Sequence, residues 1–338
     1  MHTFCTYFDQ RYLARGLALH ESLERHCADF RLWILCMDRE CYQDLMRRQL
    51  ANVYLIALED FERNDATLLA VKSERSSTEY YFTCTPSLPL YIFRCFPEQD
   101  ILTYLDADLF FFNDPAPLFD ELGQGSVGII EHRLPAELRH LEIYGIYNVG
   151  WITFRRDEQG LACLQWWRER CIEWCYDRVE PGRFADQKYL DQWPELFPGV
   201  RVLQHKGANV APWNVSRYKL TAKGEQIFVD DQPLLFYHFH GLNQIRPWLY
   251  NPRLSYYRIQ MSDVLLRVHE MYIQVLQQKA NQSVVPGSIR MSQRPMWKMY
   301  LDVLFGRYIY VSDGRCHRTN SIGHMLRALQ LLAASPAP

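Results

Sequence analysis

Two aspartates, Asp106 and Asp108, interrupt the apolar and aromatic run from Ile101 to Phe112. Read as a buried strand, the run puts both carboxylates on one face with only Ala107 between them, because strand side chains alternate sides. Like charges that close together, once dehydrated, need a counter-charge. A hard divalent cation supplies it: Mg2+ and Mn2+ take oxygen ligands, often one or two carboxylates plus the phosphate oxygens of a substrate. A bare D-x-D also arises in surface turns, so the apolar setting carries the reading. His238 and His240 follow the apolar Leu234-Leu235-Phe236 and would share one face if extended, as ligands or as a structural pair.

Other chemistry-bearing residues lie where elements begin or end. Asn148 sits among small residues at the mouth of a strand spanning Gly145 to Phe154. Asp186 and Gln187 open an apparent helix at 183–190, where a polar helix start is the alternative. Asn209, Trp213 and Asn214 lie in a segment able to touch a sugar or a metal. Asp9 and Asp38 each follow an apolar strand and read equally as rim acids or as helix N-caps. Lys72, Arg75 and Arg94 are the cations in 65–97 that could meet a diphosphate.

The elements that must position these groups alternate. Residues 3–8 read as a strand, 11–26 as an amphipathic helix, 30–37 as a strand, 39–50 as a helix and 53–57 as a third strand. Strand and helix in alternation mark an α/β fold with a mostly parallel sheet, and ligands gather at the carboxyl ends of its strands. Residues 65–97 read as helical but broken at Pro86 and Pro89. A strand at 125–130 and a long helix at 160–176 complete the core. Candidate helices at 262–280 and from Ser321 to Ala333 flank a linker marked by Val284 to Ser288 and Arg294-Pro295.

At 338 residues, the chain has room for one large α/β domain with an appendage, or for two modest domains. A formal charge of −2, with no dense Lys/Arg tract, argues against nucleic acid as the main partner. The first residues lack a signal-peptide pattern and no run of about 18 apolar residues offers a membrane span, so a cytoplasmic protein is expected. The ten cysteines form no C-x-x-C pair and read as reduced core thiols. Cys171 and Cys175, at i, i+4, lack the second Cys/His pair that zinc would need.

In this order the segments resemble the retaining, metal-dependent nucleotide-sugar glycosyltransferases of family 8, which have the GT-A fold. Tyr7-Phe8-Asp9-Gln10-Arg11-Tyr12 is similar to the family's first strand-to-helix turn, and Tyr104-Leu105-Asp106-Ala107-Asp108 to its Y-L-D-x-D motif. Tyr147-Asn148-Val149-Gly150 resembles F-N-x-G, Ala185-Asp186-Gln187 with Leu190 resembles D-Q-x-x-L, and His238-Phe239-His240-Gly241 resembles H-x-x-G. The resemblance spans residues 3 to about 250. The family's continuation to K-P-W is altered, because Arg246-Pro247-Trp248 follows Gly241 after four residues instead of two.

The resemblance implies a Rossmann-like GT-A catalytic domain at 1–260 and a C-terminal helical extension at 261–338. It implies a Mn2+ or Mg2+ ion on Asp106, Asp108 and His238, with Gly241 in the cofactor-binding set. Tyr7, Asp9 and Tyr12 would hold the nucleotide, and Asn148, Asp186 and Gln187 the donor sugar. The activity implied is transfer of a hexose, with retention, from a nucleotide sugar, UDP-linked by expectation, to a glycan, glycolipid or protein. A nucleotidyltransferase and a non-catalytic sugar-binding or scaffold protein are the alternatives. The aromatic and basic segment 296–312 could meet a membrane surface, which would place the protein at the inner face of the membrane. It could equally pack on the catalytic domain or on a second subunit in a homodimer.

Overall fold

The protein is described from a computed structural model covering residues 1–63, 65–282, 295–319 and 322–334. The chain opens with β1 (His2–Phe8), α1 (Leu13–His26), β2 (Phe30–Cys36), α2 (Arg39–Arg48) and β3 (Val53–Ala57). Next come α3 (Leu58–Arg63), α4 (Ala66–Val71), the long α5 (Ser77–Cys95) and β4 (Ile101–Leu105). The middle holds β5 (Leu109–Phe111), α6 (Ala116–Leu122), β6 (Val127–Glu131), β7 (Tyr147–Arg155), α7 (Glu158–Glu173), α8 (Trp193–Leu196) and β8 (Val200–Val202). Short strands follow: β9 (Leu220–Lys223), β10 (Gln226–Val229), β11 (Gln232–Pro233), β12 (Phe236–His238), β13 (Asn243–Arg246) and β14 (Leu249–Asn251). The C-terminal part carries α9 (Asp263–Asn281), α10 (Met296–Leu304), β15 (Ile309–Ser312), β16 (Arg315–Arg318) and α11 (Ile322–Ala334).

Seven strands form the central sheet in the order β3-β2-β1-β4-β7-β6-β8. Only β7 runs antiparallel to its neighbours. Both faces are covered, which is why the strands read as near-continuous apolar runs. On β2, Trp33 and Leu35 enter the cluster shared with α5 and α7, while Leu32, Ile34 and Cys36 enter the one shared with α1 and α2. Asp9 and Asp38 act as caps: Asp9 accepts from the Arg11 and Tyr12 amides, and Asp38 accepts from the Cys41 amide.

The local reading differs from the structure in four places. Helix α5 runs through Pro86 and Pro89 without a break. Its Thr83 and Thr85 hydroxyls donate to carbonyls one turn back, and residues 83–89 are buried, so packing overrides the missing N–H groups. The run from 101 to 112 is two strands: the chain turns at Asp106–Asp108, where the Leu109 amide closes on the Asp106 carbonyl, and β5 leaves the sheet to pair with β12. Residues 183–190 do not start an α-helix; Ala185 takes a left-handed φ of 45° and only a 3-10 turn follows, at Lys188–Gln192.

The fourth difference is in the C-terminal part. Between its helices lies the β15–β16 hairpin, which joins β14 and β13 in a four-stranded sheet. The hairpin closes on Asp313-Gly314, both at positive φ, the two-residue turn whose twist matches antiparallel strands. The linker expected at 284–294 and the helix start at Ser321 lie outside the described residues. All ten cysteines are free and all but Cys95 are buried. Among the described residues, no helix is long and apolar enough to cross a membrane.

Candidate active site

The carboxyl ends of β1 and β4, the start of antiparallel β7 and the end of β12 meet on one edge of the sheet. Pairing of β12 with β5 puts His238 opposite Leu109 and so beside the 106–108 turn. Its Nε2 lies 3.1 Å from Asp108 Oδ1 and 3.5 Å from Asp106 Oδ2. The three ligating atoms fall within 4.8 Å of one another.

Asn148 orients this histidine. Its Oδ1 accepts from the Gly150 amide at 3.0 Å and stands 3.2 Å from His238 Nδ1. With the proton on Nδ1, Nε2 is left to face the two aspartates, the arrangement by which a metal-binding imidazole is usually held. Asn148 Nδ2 lies 3.3 Å from His132 Nε2 and donates to Gln187 Oε1 at 3.2 Å. Gly150 is needed here, because a Cβ would come within 2.7 Å of Asn148 Oδ1 and 2.8 Å of the His238 ring. Two carboxylates and one oriented imidazole fit Mn2+ or Mg2+ with positions left for phosphate oxygens.

Burial pushes the Asp106 carboxyl up to about 6, against the pull of His238. Burial also acts on Asp108, but the charge and hydrogen bond of His238 outweigh it and hold that carboxyl well below the ordinary range. His238 responds in the opposite sense: burial lowers its pKa, and Asp108 more than reverses this, so the imidazole is raised overall. A positive charge is therefore favoured at the centre of the cluster.

A cleft of about 440 Å³ opens beside these residues. Tyr7, Asp106, Asn148, Asp186, Gln187 and His238 all line it. The Tyr7 hydroxyl pairs with Thr85 Oγ1 at 3.1 Å. Burial, with the nearby Asp106 charge adding to it, raises the Asp186 carboxyl to about 7. Gln187 is fixed by donating to the Tyr144 carbonyl at 3.0 Å.

Other expected residues stand apart from the cleft. Asp9 is buried, and its carboxylate accepts from two amides, the Arg11 guanidinium at 2.5 and 2.7 Å, and the Tyr81 hydroxyl at 3.3 Å. Tyr12 faces a neighbouring groove, with the Arg15 guanidinium 4.3 Å above its ring. Gly241, at φ 71°, lines the same groove and makes room for Arg253, whose Cδ would be 2.4 Å from a Cβ there. Asn214 is structural, bonding to backbone at His132, Asn209 and Ala211. None of Lys72, Arg75 or Arg94 lines the cleft: Lys72 pairs with Glu62, Arg75 is buried on Tyr176, and Arg94 lies over Tyr91.

Of the residues in this region, Arg253 carried no local signal. Trp213 packs edge-on against His132, His238 and His240. Arg253 lines both the cleft and the groove beside it, and among the described residues no acid pairs with its guanidinium. Arg246, the residue of the altered K-P-W segment, is buried and turned onto the Ile245 carbonyl.

The fold can be compared with solved structures. The galactosyltransferase LgtC, in complex with donor and acceptor sugar analogs, superposes with a TM-score of 0.53 at 16% identity, over 82% of this chain and 95% of that one. An active-site glutamine-to-glutamate mutant of LgtC gives 0.51 at 17% identity, over 86% and 99%. The fold is thus the GT-A glycosyltransferase fold. No protein-family model matches the chain. In sequence it is 32% identical to the uncharacterized protein YfnD of Bacillus subtilis (strain 168) over 273 residues, 80% of this chain and 87% of that protein. It is 34% identical to the uncharacterized protein YfnF of the same organism over 246 residues, 70% and 80% of the two chains. Identity at this level over most of both lengths means that the chain belongs to the protein family of YfnD and YfnF.

Proposed function

We propose that this chain is a glycosyltransferase that moves a hexose, with retention, from a UDP-linked donor to a glycan, glycolipid or protein acceptor. The observation that carries the proposal is the Asp106–Asp108–His238 cluster opening onto a cleft lined by Asn148, Asp186 and Gln187. LgtC, whose fold this chain shares, was solved with donor and acceptor sugar analogs, and one of its active-site residues is a glutamine.

Asp106, Asp108 and His238 would hold a Mn2+ or Mg2+ ion, which when bound offsets the charge of the departing diphosphate. Asn148 keeps His238 Nε2 pointed at that position and, through Gln187 Oε1, ties the cluster to the sugar side of the cleft. Asp186, when ionised, places a negative charge where the sugar ring turns positive as the anomeric bond breaks. Arg253, between cleft and groove, is the guanidinium placed to meet the diphosphate. Tyr7 and Trp213 supply aromatic faces for base or sugar.

The test is thermal melting of the protein with UDP, GDP, CMP or dTDP, each with and without Mn2+. A ligand at about 100 times its Kd stabilises by about 2.7 kcal/mol, a rise of a few degrees. A Mn2+-dependent rise with UDP alone supports the proposal. No rise with any nucleotide refutes it and favours a non-catalytic role.

A further inference from the structure

Helix α10 packs one side into the C-terminal core, where Met299 and Val303 are buried with Tyr308, Tyr310, Ala328 and Leu332. Its other side is apolar as well. Trp297, Leu301, Leu304 and Phe305 follow one another at helical spacing and are 60, 41, 48 and 68% exposed. Helix α11, packed beside it, adds Ile322 and Leu326, one turn apart and more than half exposed. A soluble surface seldom groups large apolar side chains in this way without a partner.

Charge indicates the partner. The described residues 295–319 and 322–334 contain five Lys or Arg against two Asp, in a chain whose formal charge is −2. Of the two acids, Asp302 is buried, held by Arg307 at 2.9 Å and by the Tyr308 hydroxyl at 2.8 Å, so it offers little negative charge outward. Lys298 lies over the Trp297 ring and Arg307 over that of Phe305. Phe305 also borders a concavity of about 570 Å³ lined by Arg258, Arg307 and Arg318; Arg307 is paired with Asp302 and Arg318 with Asp263, while among the described residues no acid pairs with Arg258.

We infer that this face docks on the surface of an anionic lipid bilayer, with the α10 stripe set into the interface and the arginines among the headgroup phosphates. Tryptophan and long basic side chains belong at that boundary, and apolar burial acts together with attraction to anionic lipid. A second copy of the chain fits less well, because a two-fold interface would press this cationic face against itself. The concavity adjoins, through Ser255 and Arg307, another that reaches Arg253 on the cleft wall. A docked protein would therefore hold its cleft close to the bilayer.

The experiment is co-sedimentation of the full chain with phosphatidylcholine vesicles, with and without phosphatidylglycerol, at low and high salt. The wild type is expected to pellet at least about tenfold more with the anionic vesicles, and less as salt rises. Leu301→Glu/Phe305→Glu should stay in the supernatant with an unchanged melting temperature, as both side chains already face water. Arg258→Glu should weaken pelleting and reduce its dependence on salt. Equal pelleting with both vesicle types, no pelleting of the wild type, or pelleting of the Leu301/Phe305 variant like wild type would each overturn the inference. So would a wild-type dimer, seen by light scattering, that this variant converts to monomer.

Discussion

Replacing Asp186 by Asn should stabilise the protein above neutral pH while abolishing sugar transfer. The folded protein raises this carboxyl from an ordinary 3.8 to about 7, chiefly by burial. Below about pH 4 the group is protonated whether folded or unfolded, and burial does no harm. As the pH rises from about 4 to about 7, the unfolded chain ionises freely while the folded one resists, so wild-type stability falls through that window and then levels. About three pK units at 1.36 kcal/mol each set an upper value of about 4 kcal/mol. In a chain of this size that is about 5 °C in Tm. Asn keeps the shape without the charge. The two proteins should therefore melt together at about pH 4 and diverge to about pH 8, with the variant higher. Melting curves across that range, without metal or nucleotide, provide the check. A difference that stays constant with pH, or a variant that is less stable at about pH 8, would refute the reasoning.

Asp108→Ala should leave the fold intact but remove both transfer and the Mn2+ dependence of UDP binding, read by melting with and without the metal. Gln187→Ala, which removes a group tied to Asn148 and the Tyr144 carbonyl, should lower turnover far more than nucleotide affinity; steady-state kinetics beside UDP titration separates the two. Arg253→Ala should weaken UDP about tenfold, the worth of one charge-assisted contact, and leave uridine binding unchanged in calorimetry. Gly150→Ala drives a methyl against Asn148 and His238, so it should destabilise by about 1–3 kcal/mol in chemical unfolding and blunt the response to Mn2+.

What could be read in the sequence was what local pattern determines. The strand Phe30–Cys36 is covered on both faces, so its run is apolar without alternation, and the alternation of strands with helices gives the parallel order. The continuity of α5 was hidden because Pro86 and Pro89 oppose a helix locally, and only burial against α7 and the sheet overrides them. The hairpin at Asp313-Gly314 carries its signal in its turn residues, flanked by Tyr310 and Val311 on one side and Cys316 on the other.

The site itself shows why residue types come before geometry. Asp106 and Asp108 converge on His238 because β4 ends at Leu105, the chain turns through both acids, and β5 leaves to pair with β12, whereas an uninterrupted strand would have given a different backbone to the same two acids. That pairing joins residues about 130 positions apart, and no local pattern encodes it. Arg253 lay beyond reach for the same reason: its place on the cleft wall depends on a left-handed turn at φ 55° and on the space left by Gly241. Arg246, followed by Pro247 and Trp248, stands two residues further from Gly241 than the K-P-W pattern has it and lies in β13, where its side chain is buried. The next arginine, Arg253, seven positions on, lines both the cleft and the groove beside it.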